Sequence, residues 1–176
     1  IAVAGEDREV AYKTDVELDA SFSQDFDSET LSYSWALLET PPGANTSITF
    51  SPESPLATFF APLPGLYLVE LTVFDGYESH TDEILITAIN TLPELNAGED
   101  ISIQSGESAN LVAHASDIET SALVYSWELL SQPSGEPVSI NGDTATLNVV
   151  LHTGGEYTFE VQVSDDYDTV TDTIIV

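Results

Sequence analysis

Cysteine and methionine are both absent from this chain of 176 residues, and Arg8 and Lys13 are its only strongly basic side chains. Without cysteine no disulfide can hold a core together, and thiolate metal sites, redox pairs and cysteine nucleophiles are excluded. With two basic residues there is no patch for nucleic acid or anionic lipid. No run approaches the roughly 18 apolar residues of a membrane helix, so membrane insertion is not expected. Position 1 is Ile, with no charged start, apolar stretch or small-residue cleavage site behind it, and Ile1 therefore reads as a cut within a longer protein. There is no G-x-S-x-G, no H-E-x-x-H and no phosphate-binding loop, and no catalytic residue is expected.

What the chain has in excess is carboxylate. Asp and Glu number 31, for a formal net charge of -29. Such a coat attracts cations and stays soluble in salt, where the Debye length falls to about 3 Å at 1 M. Such a coat suits brine or seawater, and a bacterial, marine or salt-adapted source is expected. A solvated coat accounts for most of the acids. It does not account for their clustering, as in "SQDFDSET" at 23–30, set directly before the apolar run Leu31, Tyr33, Trp35.

The chain contains one unit twice. "AGED" at 4–7 recurs at 97–100, "LSYSWALLETPPG" at 31–43 matches "LVYSWELLSQPSG" at 123–135, and "GLYLVELTVFDGYESHTDEILI" at 65–86 matches "GEYTFEVQVSDDYDTVTDTIIV" at 155–176. The period is about 90 residues. Inside each copy the apolar period is two: Tyr157, Phe159, Val161 and Val163 alternate strictly. Turn clusters such as "ETPPGANTS" and "PLPG" separate the runs, and no segment has a helical face. The reading is all-β: two tandem immunoglobulin-like antiparallel sandwiches over 1–88 and 92–176, with 89–91 as linker. Trp35 and Trp127 fall mid-run where a sandwich buries a large aromatic. Tyr67 and Tyr157, each two residues after a Gly, fit a tyrosine corner.

"AGED", "LDASFSQDFDSETLSYSW", "ATFFAPLPGLYLVELTVFDG" and "YSWELLSQPSG" together resemble PKD (polycystic kidney disease) domains, and the resemblance covers both copies. It implies an immunoglobulin-like sandwich in a secreted or surface protein, beside an enzyme or in an adhesive array, with adjacent domains of the parent protein as partners. Many PKD domains bind calcium. The second copy departs from the pattern in its shorter "VAHASDIETSA" loop, where Glu119 replaces the second Asp.

Sandwich topology gathers the acids. The loops after the second and sixth strands share one pole, so Asp25 and Asp27 are expected to meet Asp75, and Asp117 and Glu119 to meet Asp165. Three adjacent carboxylates cannot all stay charged without a partner. Calcium suits them, since it accepts six to eight oxygens at about 2.3–2.6 Å in flexible geometry. The scattered His80, His114 and His152 do not fit zinc. The linker leads into the acidic pole of the second copy, and the resemblance implies that Asn90 caps that site, as a linker Asn does in calcium-binding PKD domains. Asp7 and Asp100 are weaker ligand candidates.

Two functions remain open: a calcium-binding spacer, adhesion or protein-interaction segment, and a carbohydrate-binding accessory module of a secreted polysaccharide- or protein-degrading enzyme. The second needs exposed aromatics as platforms for a polysaccharide or protein ligand. Phe60 is expected to face outward, opposite to Phe59. Tyr77 and Tyr167, with Tyr12 and Phe50, are further candidates.

Overall fold

Period-two alternation from Gly65 to Phe74 forces alternate side chains to opposite faces of a strand, and one face is buried: Tyr67, Val69, Leu71 and Val73 are in the core. The computed structural model in which this is seen describes residues 1–26, 30–120, 122–135 and 137–176. Among the described residues there are strands and turns but no helix.

The first unit, Ile1–Asn90, has seven strands among its described residues. They are β1 (Arg8–Ala11), β2 (Thr14–Asp19), β3 (Ser32–Glu39), β4 (Ile48–Phe50), β5 (Leu56–Ala61), β6 (Gly65–Phe74) and β7 (Ser79–Ile89). One sheet has the order β1-β7-β6-β3 and the other β2-β5-β4. All pairings are antiparallel except β1 with β7, which run parallel from Arg8 opposite Ile86 to Ala11 opposite Ile89. The two inner faces meet through Val16, Leu18, Ala57 and Phe59 on one side and Trp35, Val69, Leu71, Ile84 and Ile86 on the other.

The second unit, Thr91–Val176, repeats the plan. Its strands are β8 (Glu94–Asn96), β9 (Ser108–Val112), β10 (His114–Ser116), β11 (Val124–Ser131), β12 (Thr146–Val150), β13 (Thr158–Ser164) and β14 (Thr169–Ile175). They form β11-β13-β14, β12-β9 and the short pair β10-β8. Leu111, Trp127, Leu147, Phe159, Val161 and Ile174 fill the core. A register shift sits at the same place in β3 and β11, between Leu37 and Glu39 and between Leu129 and Ser131.

Both tyrosine corners are present. Tyr67 Oη donates to the Leu63 carbonyl at 2.7 Å and accepts from the Leu63 amide at 3.2 Å. Tyr157 Oη donates to the Thr153 carbonyl at 2.8 Å. The glycine two residues before each tyrosine is required by its backbone and by its neighbour: Gly65 has φ 134° and Gly155 φ 142°. A Cβ there would lie 2.8 Å from Pro41 Cγ or 2.4 Å from Pro133 Cγ. The tryptophans differ. Trp127 Nε1 donates to the Thr144 carbonyl at 3.0 Å, whereas Trp35 Nε1 is buried without an acceptor.

Candidate cation-binding poles

An Asp at the end of a strand can turn the chain by accepting amide protons from its own loop. Three of the predicted site residues do so. Asp75, after β6, accepts from the Tyr77 amide at 2.7 Å and the Glu78 amide at 2.8 Å through Oδ1. Asp165, after β13, does the same with Tyr167 at 2.6 Å and Asp168 at 2.7 Å. Asp117, after β10, accepts from Glu119 at 2.9 Å and Thr120 at 2.8 Å. Each turn engages one carboxylate oxygen and leaves the second to be accounted for.

In the second unit that second oxygen is sequestered. Asp117 Oδ2 is buried and has no hydrogen-bond partner. Glu119 accepts from the Thr91 hydroxyl at 2.7 Å through Oε2, while its Oε1 is likewise buried and without a hydrogen bond. A buried acceptor left unpaired costs about 1–3 kcal/mol, and more when it is charged. No lysine or arginine of this unit can offset it: residues 91–176 hold fifteen Asp and Glu and not one Lys or Arg. Asp165 itself is buried, at 8% exposure. Asn90 is half-buried and is the last residue of the first unit, one peptide bond before Thr91.

The pole of the first unit brings Asp25 and Asp75 into electrostatic range. The Asp75 carboxyl is held below its ordinary value of 3.8 by the Glu78 and Tyr77 amides, and the Asp25 charge opposes that shift. Asp27 lies outside the described residues. The two basic side chains of this unit are engaged elsewhere: Arg8 donates to the Glu17 carbonyl, and Lys13 Nζ lies 4.7 Å from the centre of the Tyr12 ring. Among the described residues no three His, Asp or Glu side chains are grouped closely enough to hold a metal ion by themselves. A cation at either pole would need main-chain, amide or water oxygens besides the carboxylates.

Asp7 and Asp100 have a structural task. Asp7 Oδ1 accepts from the Leu85 amide and Asp100 Oδ1 from the Ile175 amide, both at 2.8 Å. Asp82 and Asp172 act in the reverse sense, accepting from the Ala4 and Ala97 amides at 2.8 Å. The entry segment of each unit is thus clipped to its last strand by two carboxylates. The signal available in sequence was their recurrence at matching offsets in both copies.

Of the aromatics, Phe60 faces outward at 43% exposure, directly opposite Asp15, and Phe59 faces inward. Tyr77 is 93% and Tyr167 48% exposed. Phe50 is partly exposed, but Tyr12 is buried and is no surface platform: it directly follows β1, its amide donates to the Ile89 carbonyl at 3.0 Å, and its ring lies in the core. Sequence reasoning passed over Phe22 and Phe26, which are 71% exposed and fully exposed beside Asp25.

Comparison with known proteins places this geometry. The chain is 32% identical over 170 residues to chitinase A of Pseudoalteromonas piscicida, a match covering 81% of this chain and 20% of the chitinase. The chain therefore spans about a fifth of the length of that relative. Two titin domains solved in complex with telethonin share the tandem fold, with a TM-score of 0.52, 13% identity, and coverage of 97% of this chain and 90% of that one. The family model of the K319L-like PKD domain matches residues 4–88 and again 97–176. The chain belongs to the PKD domain family, as two copies in tandem.

Proposed function

We propose that this tandem is a non-catalytic, calcium-stabilised spacer within a larger secreted protein that degrades polysaccharide. The parent's activity rests on the likeness to a chitinase, of which the chain spans a fifth. The calcium reading rests on one observation, the buried unpartnered oxygens Asp117 Oδ2 and Glu119 Oε1 in a unit without Lys or Arg. Asp117 and Glu119 would hold the ion, with main-chain, amide or water oxygens completing its shell. Asp25, Asp27 and Asp75 would hold a second ion in the first copy. A bound calcium supplies the positive charge that the chain lacks. Extracellular calcium modules have a Kd of about 10⁻⁴–10⁻³ M. At about 10 mM calcium and a Kd near 10⁻⁴ M, one site stabilises by roughly 2.7 kcal/mol.

Melting of the chain in EDTA, in calcium and in sodium chloride of equal ionic strength tests this. Calcium is expected to raise Tm well beyond sodium chloride, and Asp117→Asn with Glu119→Gln to abolish the difference for the second unit. If sodium chloride matches calcium, the acidic loops are only coat. The outward Phe60 favours a second reading, a weak polysaccharide contact made by the spacer itself. Retention on insoluble chitin equal for wild type and Phe60→Ala would remove it.

A further inference from the structure

In the sheet β2-β5-β4, strand β2 has a neighbour on one side only. The Ala20 amide donates to the Pro55 carbonyl at 2.9 Å, one step beyond the pair Asp19 and Leu56, so by alternation Leu18, Val16 and Thr14 bond to β5. The N–H and C=O groups of Asp15, Glu17 and Asp19 therefore point to the free side. Along them runs an open groove of about 540 Å³, with Asp15, Glu17 and Asp19 on one wall and Ala4, Arg8 and Val10 on the other. Arg8 reaches across and donates to the Glu17 carbonyl, which is thus turned into the groove. Phe22, 71% exposed, also lines it.

The chemistry of this edge is particular to the first copy. The internal repeat sets Asp15, Glu17 and Asp19 against Ser108, Asn110 and Val112 of β9, Arg8 against Ile101, and Phe22 against Ala115. Strand β9 is likewise the edge of its sheet, so the fold builds this strand without carboxylates, arginine or ring. Asp15, Glu17 and Asp19 are exposed and stand in one row, and across the pairing with β5 they meet Phe60, Thr58 and Leu56, none of them basic. Chain leading into a unit does not cover the edge: Thr91, ahead of the second entry segment, bonds Glu119 at the pole.

We propose that the free edge of β2 is a docking site for an extended protein segment with Lys or Arg at alternate positions. The segment pairs antiparallel with β2, as β5 does on the other side, and exchanges main-chain bonds with Asp15, Glu17 and Asp19. Directly opposed side chains share a face, so its basic residues stand beside the three carboxylates in favourable opposite-charge pairs. The residues between them turn toward Ala4 and Val10 and are small and apolar. Arg8 yields the Glu17 carbonyl to an arriving N–H. A second copy of this chain is not the occupant, because its sequence nowhere alternates Lys or Arg.

The probe is the acetylated peptide amide Ala-Lys-Val-Lys-Val-Lys-Ala. Its control is the same peptide N-methylated at every lysine, equal in charge but without the N–H groups that pair with β2. Both are titrated into the full chain at about 0.15 M sodium chloride, where exposed charges are screened beyond about 8 Å. The probe is expected to slow amide exchange at Asp15, Glu17 and Asp19 by at least about tenfold and to leave Ser108 and Asn110 unchanged. The control is expected to bind at least about tenfold more weakly, and so is the probe to Asp15→Asn with Glu17→Gln. Equal affinity for the two peptides overturns the proposal and leaves only a polycation attracted to the acid coat. Unchanged affinity of the double variant, or slowing at Asn110 as great as at Glu17, overturns it as well.

Discussion

Replacing Tyr67 with Phe deletes one oxygen and keeps a ring that is fully buried, so packing stays and only hydrogen bonding changes. The oxygen makes two bonds with Leu63, a donation at 2.7 Å and an acceptance at 3.2 Å. Its repeat partner makes one with Thr153, at 2.8 Å. Each such bond contributes about 1 kcal/mol net. Tyr157→Phe should therefore cost about 1 kcal/mol, and Tyr67→Phe about 1.5–2, the longer bond counting for less. In domains of 60–100 residues 1 kcal/mol corresponds to about 4–8 °C in Tm. Calorimetry of the full chain reads both units, and each variant should move one transition and leave the other in place. Equal shifts for the two variants would refute the count of bonds as the source of the difference. Shifts under about 0.3 kcal/mol for both would show that water replaces the hydroxyl and that the corner holds by its ring alone.

Gly155→Ala should destabilise by about 2–3 kcal/mol in urea unfolding, because the new Cβ would meet the stiff Pro133 ring at 2.4 Å on a backbone with positive φ, and Gly65→Ala should cost less at 2.8 Å. Asp172→Asn removes the charge from an oxygen that accepts the Ala97 amide at 2.8 Å, and a loss of about 1–2 kcal/mol confined to the second unit is expected in the same assay. Asp19 is held below its ordinary 3.8 by the Ser21 hydroxyl and then by the Ser21 amide. Its contribution to stability is present above 3.8 and is lost as pH falls through the lower folded value. Ser21→Ala should raise the Asp19 titration midpoint toward 3.8 by NMR; an unchanged midpoint would leave the amide as the sole cause.

The parts of this molecule that were legible in its sequence are those governed by local periodicity and by repetition. Alternation located the core faces of β6 and β13, and Gly-x-Tyr located both corners, because each depends on residues within a few positions of one another. The carboxylate roles depended on register across the fold. Asp7 meets Leu85 and Asp100 meets Ile175 only once the last strand is in place, and nothing within the "AGED" segment announces an acceptor for a distant amide. Tyr12 beside Lys13 reads as polar and surface-bound until β1 is seen to join the β7 edge. Phe22 and Phe26 have the composition of core residues, yet they sit on a loop that no second sheet covers. The buried oxygens of Asp117 and Glu119 follow from the Asx turn and the Thr91 contact, neither of which a spacing of acids specifies.

The parallel pairing of β1 with β7 has a consequence under tension. The two strands lie near opposite ends of the first unit's sequence, so drawing Ile1 away from Asn90 slides one along the other. The pairs from Arg8 with Ile86 to Ala11 with Ile89 then bear the load in shear, and they must yield together instead of unzipping from one end. Bonds that are individually modest become a barrier to extraction, which is a matter of unfolding rate and not of depth of stability.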